Sequence, residues 1–148
     1  MEQLYPIKFE HIYKDKIWGG SRFETILKRR DVNSKTSGES WEISAVEDNV
    51  SIIANGFLQG NTLQEAIEIY MDELVGFKIY ETFGPEFPLL IKFLDSNDVL
   101  SVQVHPDNEV AKERHNAYGK TEMWYVVDAE PNAELIIGFK KDMTQQEF

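Results

Sequence analysis

The sequence predicts a mostly β fold, an antiparallel sandwich or barrel, from three observations. Short runs of β-branched and aromatic residues dominate from Ser40 onward, turn residues separate these runs, and helical periodicity is confined to a few inserts. Alternating βαβ units would instead place a helical pattern between successive strands. No repeat or low-complexity linker interrupts the chain, so we expect one domain over residues 1–148 with no internal boundary.

Several segments are predicted to be strands because they are rich in residue types that fit a pleated sheet. They are Trp41–Ala45, Val50–Ala54, Leu89–Leu94, Leu100–His105, Glu122–Val127 and Ala133–Phe139. Asn55-Gly56 and Glu130-Pro131-Asn132 are predicted turns at strand ends, since Gly, Pro and Asn favour turn conformations.

Helices are predicted where a start signal precedes an apolar run. Thr62 and Glu65 have the spacing of a capping box, and the apolar residues after them recur at three- and four-residue intervals. This pattern predicts a helix over Thr62–Val75. Ser21 and Glu24 have the same spacing and predict a second, short helix.

Two further helical signals lie towards the carboxyl end. A short helix that is charged nearly all round is expected at about Asn108–Asn116. Thr144 and Glu147 again have capping-box spacing, which predicts the start of a helix just before the sequence ends at Phe148. We therefore expect the chain to be the amino-terminal part of a longer protein.

Composition and charge exclude several classes of protein. Hydrophobic residues make up 42 % and charged residues 28 %, which is typical of a globular domain. A net charge of −11 repels nucleic acid and anionic membrane surfaces, and no apolar run is long enough for a signal peptide or a membrane span. The absence of cysteine excludes thiolate metal sites, so any metal must have nitrogen and oxygen ligands. A cytoplasmic protein is expected.

The segment Leu100–His105 carries the first candidate site residues. In a strand, alternation places Ser101, Gln103 and His105 on one face and aliphatic residues on the other. These polar groups either line a shared cavity or form the solvent-facing side of a half-buried strand. The segment by itself leaves both interpretations open.

The segment that begins at Lys120 favours the cavity. Alternation places Lys120, Glu122 and Trp124 on one face, and pairing with the preceding strand would let Glu122 meet Gln103 and His105. Amide oxygen, imidazole nitrogen and carboxylate oxygen suit Zn²⁺ or another divalent first-row ion. Three such ligands with an open position describe a catalytic metal better than a structural one.

Lys92 is a single cation inside the apolar segment Pro88–Asp95. Burying an ammonium group is costly unless an anion lies beside it. Lys92 is either a residue at an exposed edge whose ammonium reaches water, or a ligand for a phosphate or hydroxyl group in the same cavity. Lys120 would then be its companion, which would explain how so acidic a chain holds an anionic substrate.

At these residues the chain resembles a known family. The segments Pro88–Asp95, Leu100–Asp107 and Gly119–Val126 look like signature blocks of type I mannose-6-phosphate isomerases. Lys16–Gly20 and Gly38–Ser44 resemble amino-terminal blocks of the shorter bacterial branch of that family. The resemblance follows the family's order over nearly the whole chain.

The resemblance implies a cupin, a double-stranded antiparallel β barrel that binds one Zn²⁺. It implies that Gln103, His105 and Glu122 are three of four protein ligands. The fourth, a histidine, and an arginine assigned to catalysis would lie beyond Phe148, so zinc is expected to be weakly bound or absent in this chain alone. The cavity residues implied to contact the substrate or to lie near the cavity mouth are Lys92, Ser101, Lys120 and Trp18.

The activity that the resemblance implies is interconversion of mannose 6-phosphate and fructose 6-phosphate. This reaction moves a hydrogen between C1 and C2 through an enediol-like state, for which Lys120 is the candidate base and, in a rival role, a substrate ligand. The expected partners are a phosphorylated hexose and either the missing carboxyl-terminal part or another copy of the chain. Two alternatives stay open, a non-catalytic cupin that binds a sugar phosphate and a purely structural protein.

Overall fold

The computed structural model describes residues 3–32, 34–144 and 146–147. Residue contacts divide the chain into two compact units, Met1–Leu100 and Ser101–Phe148, here called the first and second unit. Clusters of contacts do not by themselves define domains. The expectation of one domain over residues 1–148 therefore stays a prediction.

A three-stranded antiparallel sheet in the order β1-β2-β3 forms the centre of the first unit. Its strands are β1 (Ile12–Gly20), β2 (Ser37–Ile43) and β3 (Ile91–Leu94). β2 and β3 confirm the predictions at Trp41–Ala45 and Leu89–Leu94 with shifted bounds. Sequence analysis missed β1, because the consecutive charged residues Lys14, Asp15 and Lys16 interrupt its apolar pattern and no turn signal marks its start.

The predicted strand Val50–Ala54 is reduced to isolated bridges. Ile53 bridges Phe9, and Ile52 bridges Thr62. The backbone N–H of Ile53 donates to the carbonyl of Asn61 at 2.8 Å, which ties this segment to the turn that follows Gly56. The predicted Asn55-Gly56 turn is confirmed, and Gly56 has a φ of +69° that glycine adopts without strain.

The core of the first unit lies between this bridged segment and the next helix. Ile53, Leu58, Ala66 and Tyr70 are buried together, and half-buried side chains from the amino-terminal segment pack against them. Ile53 and Ala66 have no exposed surface. The core therefore joins helix α2 (Leu63–Tyr70) to residues that precede β1.

Helix α1 (Arg22–Thr25) is capped by a residue distant in sequence. Ser21 precedes α1 as predicted, but its side chain makes no capping hydrogen bond. Instead the buried carboxylate of Asp95 accepts from the backbone N–H of Arg22 at 2.7 Å. The predicted capping box at Ser21 was therefore wrong, because the end of β3 brings a stronger acceptor to the free N–H groups of the helix.

The predicted helix Thr62–Val75 is divided into α2 and α3 (Asp72–Val75). Its start is confirmed, since Thr62 and Glu65 form both halves of the capping box. The continuous helix was wrong at Met71, which has a φ of +48° and interrupts the helical backbone. Helix α4 (Phe77–Phe83), which follows Gly76, was not predicted.

A charged network surrounds Arg29 in the first unit. Arg29 binds the carboxylate of Glu42 through two hydrogen bonds of 2.9 and 3.0 Å. His11 lies 2.8 Å from Asp31 and 3.6 Å from Glu42. Burial would raise the pKa of Asp31, but hydrogen bonds from His11, the backbone and Tyr13 outweigh it and lower that pKa.

The second unit contains helix α5 (Asn108–His115), which confirms the predicted helix there. Asp107 caps it by accepting from the N–H of Val110 at 2.9 Å, and Asn116 ends it in the left-handed conformation. The predicted turn at Glu130-Pro131-Asn132 is also confirmed. None of the helices in the described part of the chain is long and apolar enough to cross a bilayer.

The strands predicted from Leu100 onward are not found in the described residues. Leu100–His105, Glu122–Val127 and Ala133–Phe139 belong to no sheet. Composition predicts segments that fit a sheet, but a strand also needs a neighbouring strand for its backbone hydrogen bonds. The predicted helix start at Thr144 includes Gln145, which lies outside the described residues. The backbone N–H of Thr144 donates to the side-chain carboxylate of Glu147 at 2.9 Å.

Candidate functional site

Glu122 is the centre of a charged cluster in the second unit. Its Oε2 lies 3.2 Å from Nε2 of His105, and its Oε1 lies 3.1 Å from Nζ of Lys120. His105 and Glu122 are about one-quarter and one-third exposed, so solvent reaches the cluster. The structure thus brings together three of the residues singled out from the sequence.

Gln103 and Ser101 form a separate pair. Nε2 of Gln103 donates to Oγ of Ser101 at 3.3 Å, and both residues are exposed. The amide nitrogen is engaged, which leaves the amide oxygen of Gln103 available as an acceptor or ligand. The predicted alternation of polar and buried aliphatic faces is wrong in this segment, since Val102 and Val104 are also exposed.

The donor atoms of His105 and Glu122 fit a shared zinc ion. Two ligands that each lie about 2.1 Å from a tetrahedral ion are roughly 3.4 Å apart, close to the separation of these two atoms. No group of three His, Cys, Asp or Glu residues suited to a metal occurs among the described residues. The predicted third ligand, Gln103, is an amide and falls outside that class of group. The residues present therefore fit part of a metal site.

Lys92 lies on β3 in the first unit, where it contacts a carboxylate that sequence analysis did not single out. Nζ of Lys92 is 3.5 Å from Oε2 of Glu39, a buried residue on β2. The same oxygen accepts from Nε1 of Trp41 at 2.7 Å, and Nζ of Lys16 lies 3.7 Å from Oε1. The anion beside the half-buried Lys92 is therefore Glu39.

The pKa of Glu39 shows that its carboxylate keeps its charge. Burial alone would raise this pKa, but the hydrogen bond from Trp41 and the positive charges of Lys92 and Lys16 outweigh burial and lower it. Glu39 is therefore an ionised residue that positions lysines, and a poor proton donor at neutral pH. A sequence signal did exist, because Glu39 and Trp41 are two residues apart and share a face of β2.

Trp18 is half-buried near the end of β1 and lies against Gly38 of β2. A Cβ atom at position 38 would lie 2.6 Å from the Trp18 ring and 2.7 Å from Cβ of Lys16. Glycine at this position thus lets both side chains pass close to the β2 backbone. The carbonyl of Trp18 accepts from the N–H of Asn97 at 2.8 Å, which holds this end of β1 beside the end of β3.

A cleft of about 700 Å³ in the first unit contains none of the predicted site residues. Its lining includes His11, Tyr13 and three carboxylate residues, Glu10, Asp15 and Asp31. The ring of His11 contacts carboxylates of the network around Arg29. We therefore place the candidate site at the charged groups above and not in this cleft.

Comparison with known proteins identifies the family. The family model for the catalytic domain of type I phosphomannose isomerase matches residues 7–145. The chain belongs to the type I phosphomannose isomerase family. The resemblance seen in the sequence blocks is thereby confirmed, and with it the assignment of the chain to an enzyme family.

Individual relatives of this phosphomannose isomerase family member agree. It is 40 % identical over 145 residues to the probable mannose-6-phosphate isomerase GmuF of Bacillus subtilis, covering 97 % of this chain and 44 % of the relative. It is 44 % identical over 133 residues to the mannose-6-phosphate isomerase of Streptococcus mutans, covering 90 % and 40 %. The chain therefore spans about two-fifths of the length of these curated relatives.

A solved structure supports the fold. The crystal structure of the mannose 6-phosphate isomerase from Bacillus subtilis superimposes with a TM-score of 0.75 at 37 % identity, covering 86 % of this chain and 39 % of that one. A small antiparallel sheet with a few helices is thus the arrangement that this chain has in common with an isomerase of its family.

Proposed function

We propose that this chain supplies part of the active site of a metal-dependent isomerase that interconverts mannose 6-phosphate and fructose 6-phosphate. The observation that carries the proposal is the convergence of His105 and Lys120 on the two oxygens of Glu122. Because the chain spans about two-fifths of its curated relatives, the remaining length of such a protein would supply the rest of the site.

Gln103, His105 and Glu122 are the residues that would hold the metal, which we propose to be Zn²⁺. Bound zinc supplies Lewis-acid stabilisation of the charge that develops on the substrate oxygens. Imidazole nitrogen, carboxylate oxygen and amide oxygen are compatible with zinc and with no thiolate ligand. A histidine supplied by the remainder of the protein would complete the ligand set, and an arginine there would act in catalysis. This chain alone should therefore hold zinc weakly or not at all.

We propose that Lys120 transfers the proton between C1 and C2: its neutral amine would take the proton from one carbon, and the ammonium so formed would return it to the other. The carboxylate of Glu122 holds its ammonium group at 3.1 Å, which fixes Lys120 beside the proposed metal ligands. Its rival role is to bind the substrate. Lys92 and Ser101 would bind substrate oxygens, and Trp18 would flank the mouth of the cavity.

The cupin barrel is part of this proposal. The sheet of the first unit would contribute strands, and the apolar segments of the second unit would pair once neighbouring strands are present. Met123–Val127 is at least half exposed at every residue, and Ile136 and Ile137 are also exposed. Surfaces of this kind mark contact sites or invite self-association. The proposed protein partner is accordingly the carboxyl-terminal part of an isomerase.

A chimera tests the proposed reaction. The segment of the Streptococcus mutans isomerase that matches this chain is replaced by this chain, and conversion of mannose 6-phosphate to fructose 6-phosphate is measured together with bound zinc. We expect the chimera to convert the substrate. The Glu122→Gln chimera should contain less zinc, and its turnover should be lower by at least about a hundredfold.

Glu109→Gln on α5 is the matched control, because Glu109 is an exposed carboxylate of the same unit. It should leave turnover and zinc unchanged. A chimera that is folded and contains zinc but does not convert the sugar phosphate would refute the proposed reaction. Full turnover in a Lys120→Met chimera would refute the proton-transfer role of Lys120 but not the proposed reaction.

A further inference from the structure

Three lysines share one face of the sheet in the first unit around the buried carboxylate of Glu39. Lys14 of β1 is paired with Glu39 of β2, and Trp41 of β2 is paired with Lys92 of β3. Residues two apart on a strand share a face, so Lys16 follows Lys14 and Trp41 follows Glu39 on that face. We call this set the lysine face, consisting of Lys14, Lys16, Lys92, Glu39 and Trp41.

Contacts within the lysine face hold the ammonium groups close together. Lys16 and Lys92 lie 3.7 and 3.5 Å from different oxygens of Glu39. The ammonium of Lys14 lies 5.0 Å from the centre of the Trp41 ring and donates to the side-chain oxygen of Asn49. Trp41 in turn fixes Glu39 by donating to it at 2.7 Å. Glu39 and Trp41 therefore organise lysines contributed by two different strands.

The lysine face is positive in a chain that is otherwise strongly acidic. The chain carries a net charge of −11, yet this face gathers three lysines and one carboxylate, which two of the lysines contact. The lowered pKa of Glu39 keeps that carboxylate ionised, and the lysines still outnumber it. Each ammonium has three N–H donors, and the contacts described occupy only some of them. The side chains of Lys16 and Lys92 are 39 % and 23 % exposed, so an anion can reach them.

We propose that the lysine face is a binding site for a phosphomonoester group, with Lys14 and Lys16 as anion ligands beside Lys92. Lysines bind phosphate as point charges, and several of them gathered at one place offset the repulsion of an acidic protein. Glu39 is a positioning residue that keeps the ammonium groups together. That the phosphomonoester is the phosphate of a hexose rests on the proposed function, whereas the anion site itself does not.

Titration of the 148-residue chain with inorganic phosphate tests the anion site. Binding is followed at constant ionic strength by calorimetry and by the indole N–H resonance of Trp41, which reports on Glu39 and Lys14 directly. We expect saturable binding that Lys16→Gln and Lys14→Gln each weaken by about five- to tenfold. Lys16→Arg keeps the charge and should retain most of the affinity.

Lys78→Gln is the control, since Lys78 is an exposed lysine on α4 outside the lysine face. It should leave phosphate affinity unchanged, which separates a local site from a loss of overall charge. Equal affinity in Lys16→Gln, Lys14→Gln and Lys78→Gln, or no saturable binding at all, would overturn the proposal. A backbone amide spectrum as well dispersed as that of the native chain confirms that a variant is folded.

The same variants in the chimera separate this inference from the proposed reaction. We expect Lys16→Gln to raise KM for mannose 6-phosphate by about tenfold with little change in kcat, because the lost contact is distant from C1 and C2. If the chimera is inactive while the phosphate titration gives the expected affinities, the proposed reaction is refuted and the proposed anion site is supported. If the chimera is active and Lys16→Gln changes neither KM nor phosphate affinity, the proposed anion site is refuted and the proposed reaction is supported.

Discussion

The two compact units differ in how many of their apolar residues are buried. In the first unit Ile53, Leu58, Ala66 and Tyr70 form a buried cluster, although other apolar residues of this unit, such as Ile17, are exposed. Among the described residues of the second unit only Ala111 is buried. Since burial of apolar surface is the main favourable contribution to folding, the first unit carries most of the stability of this chain.

The difference bears directly on the candidate site. The proposed metal ligands and Lys120 lie in the second unit, where few buried contacts hold them, while the lysine face lies on the paired strands of the first unit. Groups that bind or react with high precision need rigid support. We therefore expect the lysine face to be formed in this chain alone and the metal ligands to need the rest of the protein.

Removing core volume should give the largest contrast between the units. We expect Ile53→Ala to lower the free energy of unfolding by about 3 kcal/mol, because it leaves a cavity in a fully buried position. Val126→Ala in the second unit should cost less than about 0.5 kcal/mol, since Val126 is 60 % exposed. Urea unfolding followed by tryptophan fluorescence measures both. Similar losses would mean that the second unit has a core of its own.

Breaking the network around Arg29 should give the next largest effect. Arg29→Met removes two hydrogen bonds to Glu42 and one of 2.6 Å to Ser40, for an expected loss of about 2 kcal/mol. The neighbouring Arg30 is exposed, and Arg30→Met should change stability by less than about 0.5 kcal/mol. Thermal unfolding of the two variants gives the comparison. Equal melting temperatures would show that the network adds nothing to the stability of the first unit.

Helix caps offer a matched pair of smaller changes, one in each unit. Thr62→Ala removes the cap of α2 and should cost about 1 kcal/mol of the unfolding free energy, because α2 packs into the core. Asp107→Ala removes the cap of α5 and should increase hydrogen exchange at Val110 without changing the unfolding of the first unit. If Asp107→Ala destabilises the first unit as much as Thr62→Ala, the units do not unfold separately.

The pH dependence of Glu39 should give the smallest change. Its pKa is lowered in the folded chain below the ordinary value of 4.5, so its stabilisation is present above that value and is lost as the pH falls through the folded pKa. Glu39→Gln should therefore reduce stability at pH 7 by at most about 1 kcal/mol, since the lysines are partly exposed, and the difference from the native chain should shrink towards pH 3. Denaturant unfolding at both pH values measures it. A difference that grows at low pH would contradict the ionised state of Glu39.

Local sequence signals predicted the parts of the fold that neighbouring residues decide. Thr62 with Glu65 predicted the start of α2, and the charged segment at Asn108 predicted α5. In both cases the capping group and the N–H that it accepts from are three residues apart. Predictions failed where the partner is distant, as at Ser21, whose capping role passes to Asp95.

The same distinction between local sequence signals and contacts with distant residues applies to the candidate site. The sequence by itself determined the chemistry available, an imidazole, a carboxylate and an amide with lysines at Lys92 and Lys120, because alternation and motif blocks depend only on residue order. Only the tertiary structure decided which groups meet. It joined Glu39 to Lys92 across two paired strands, a contact that no local pattern encodes. It also brought His105 to Glu122, but without the strand pairing from which alternation had predicted that contact.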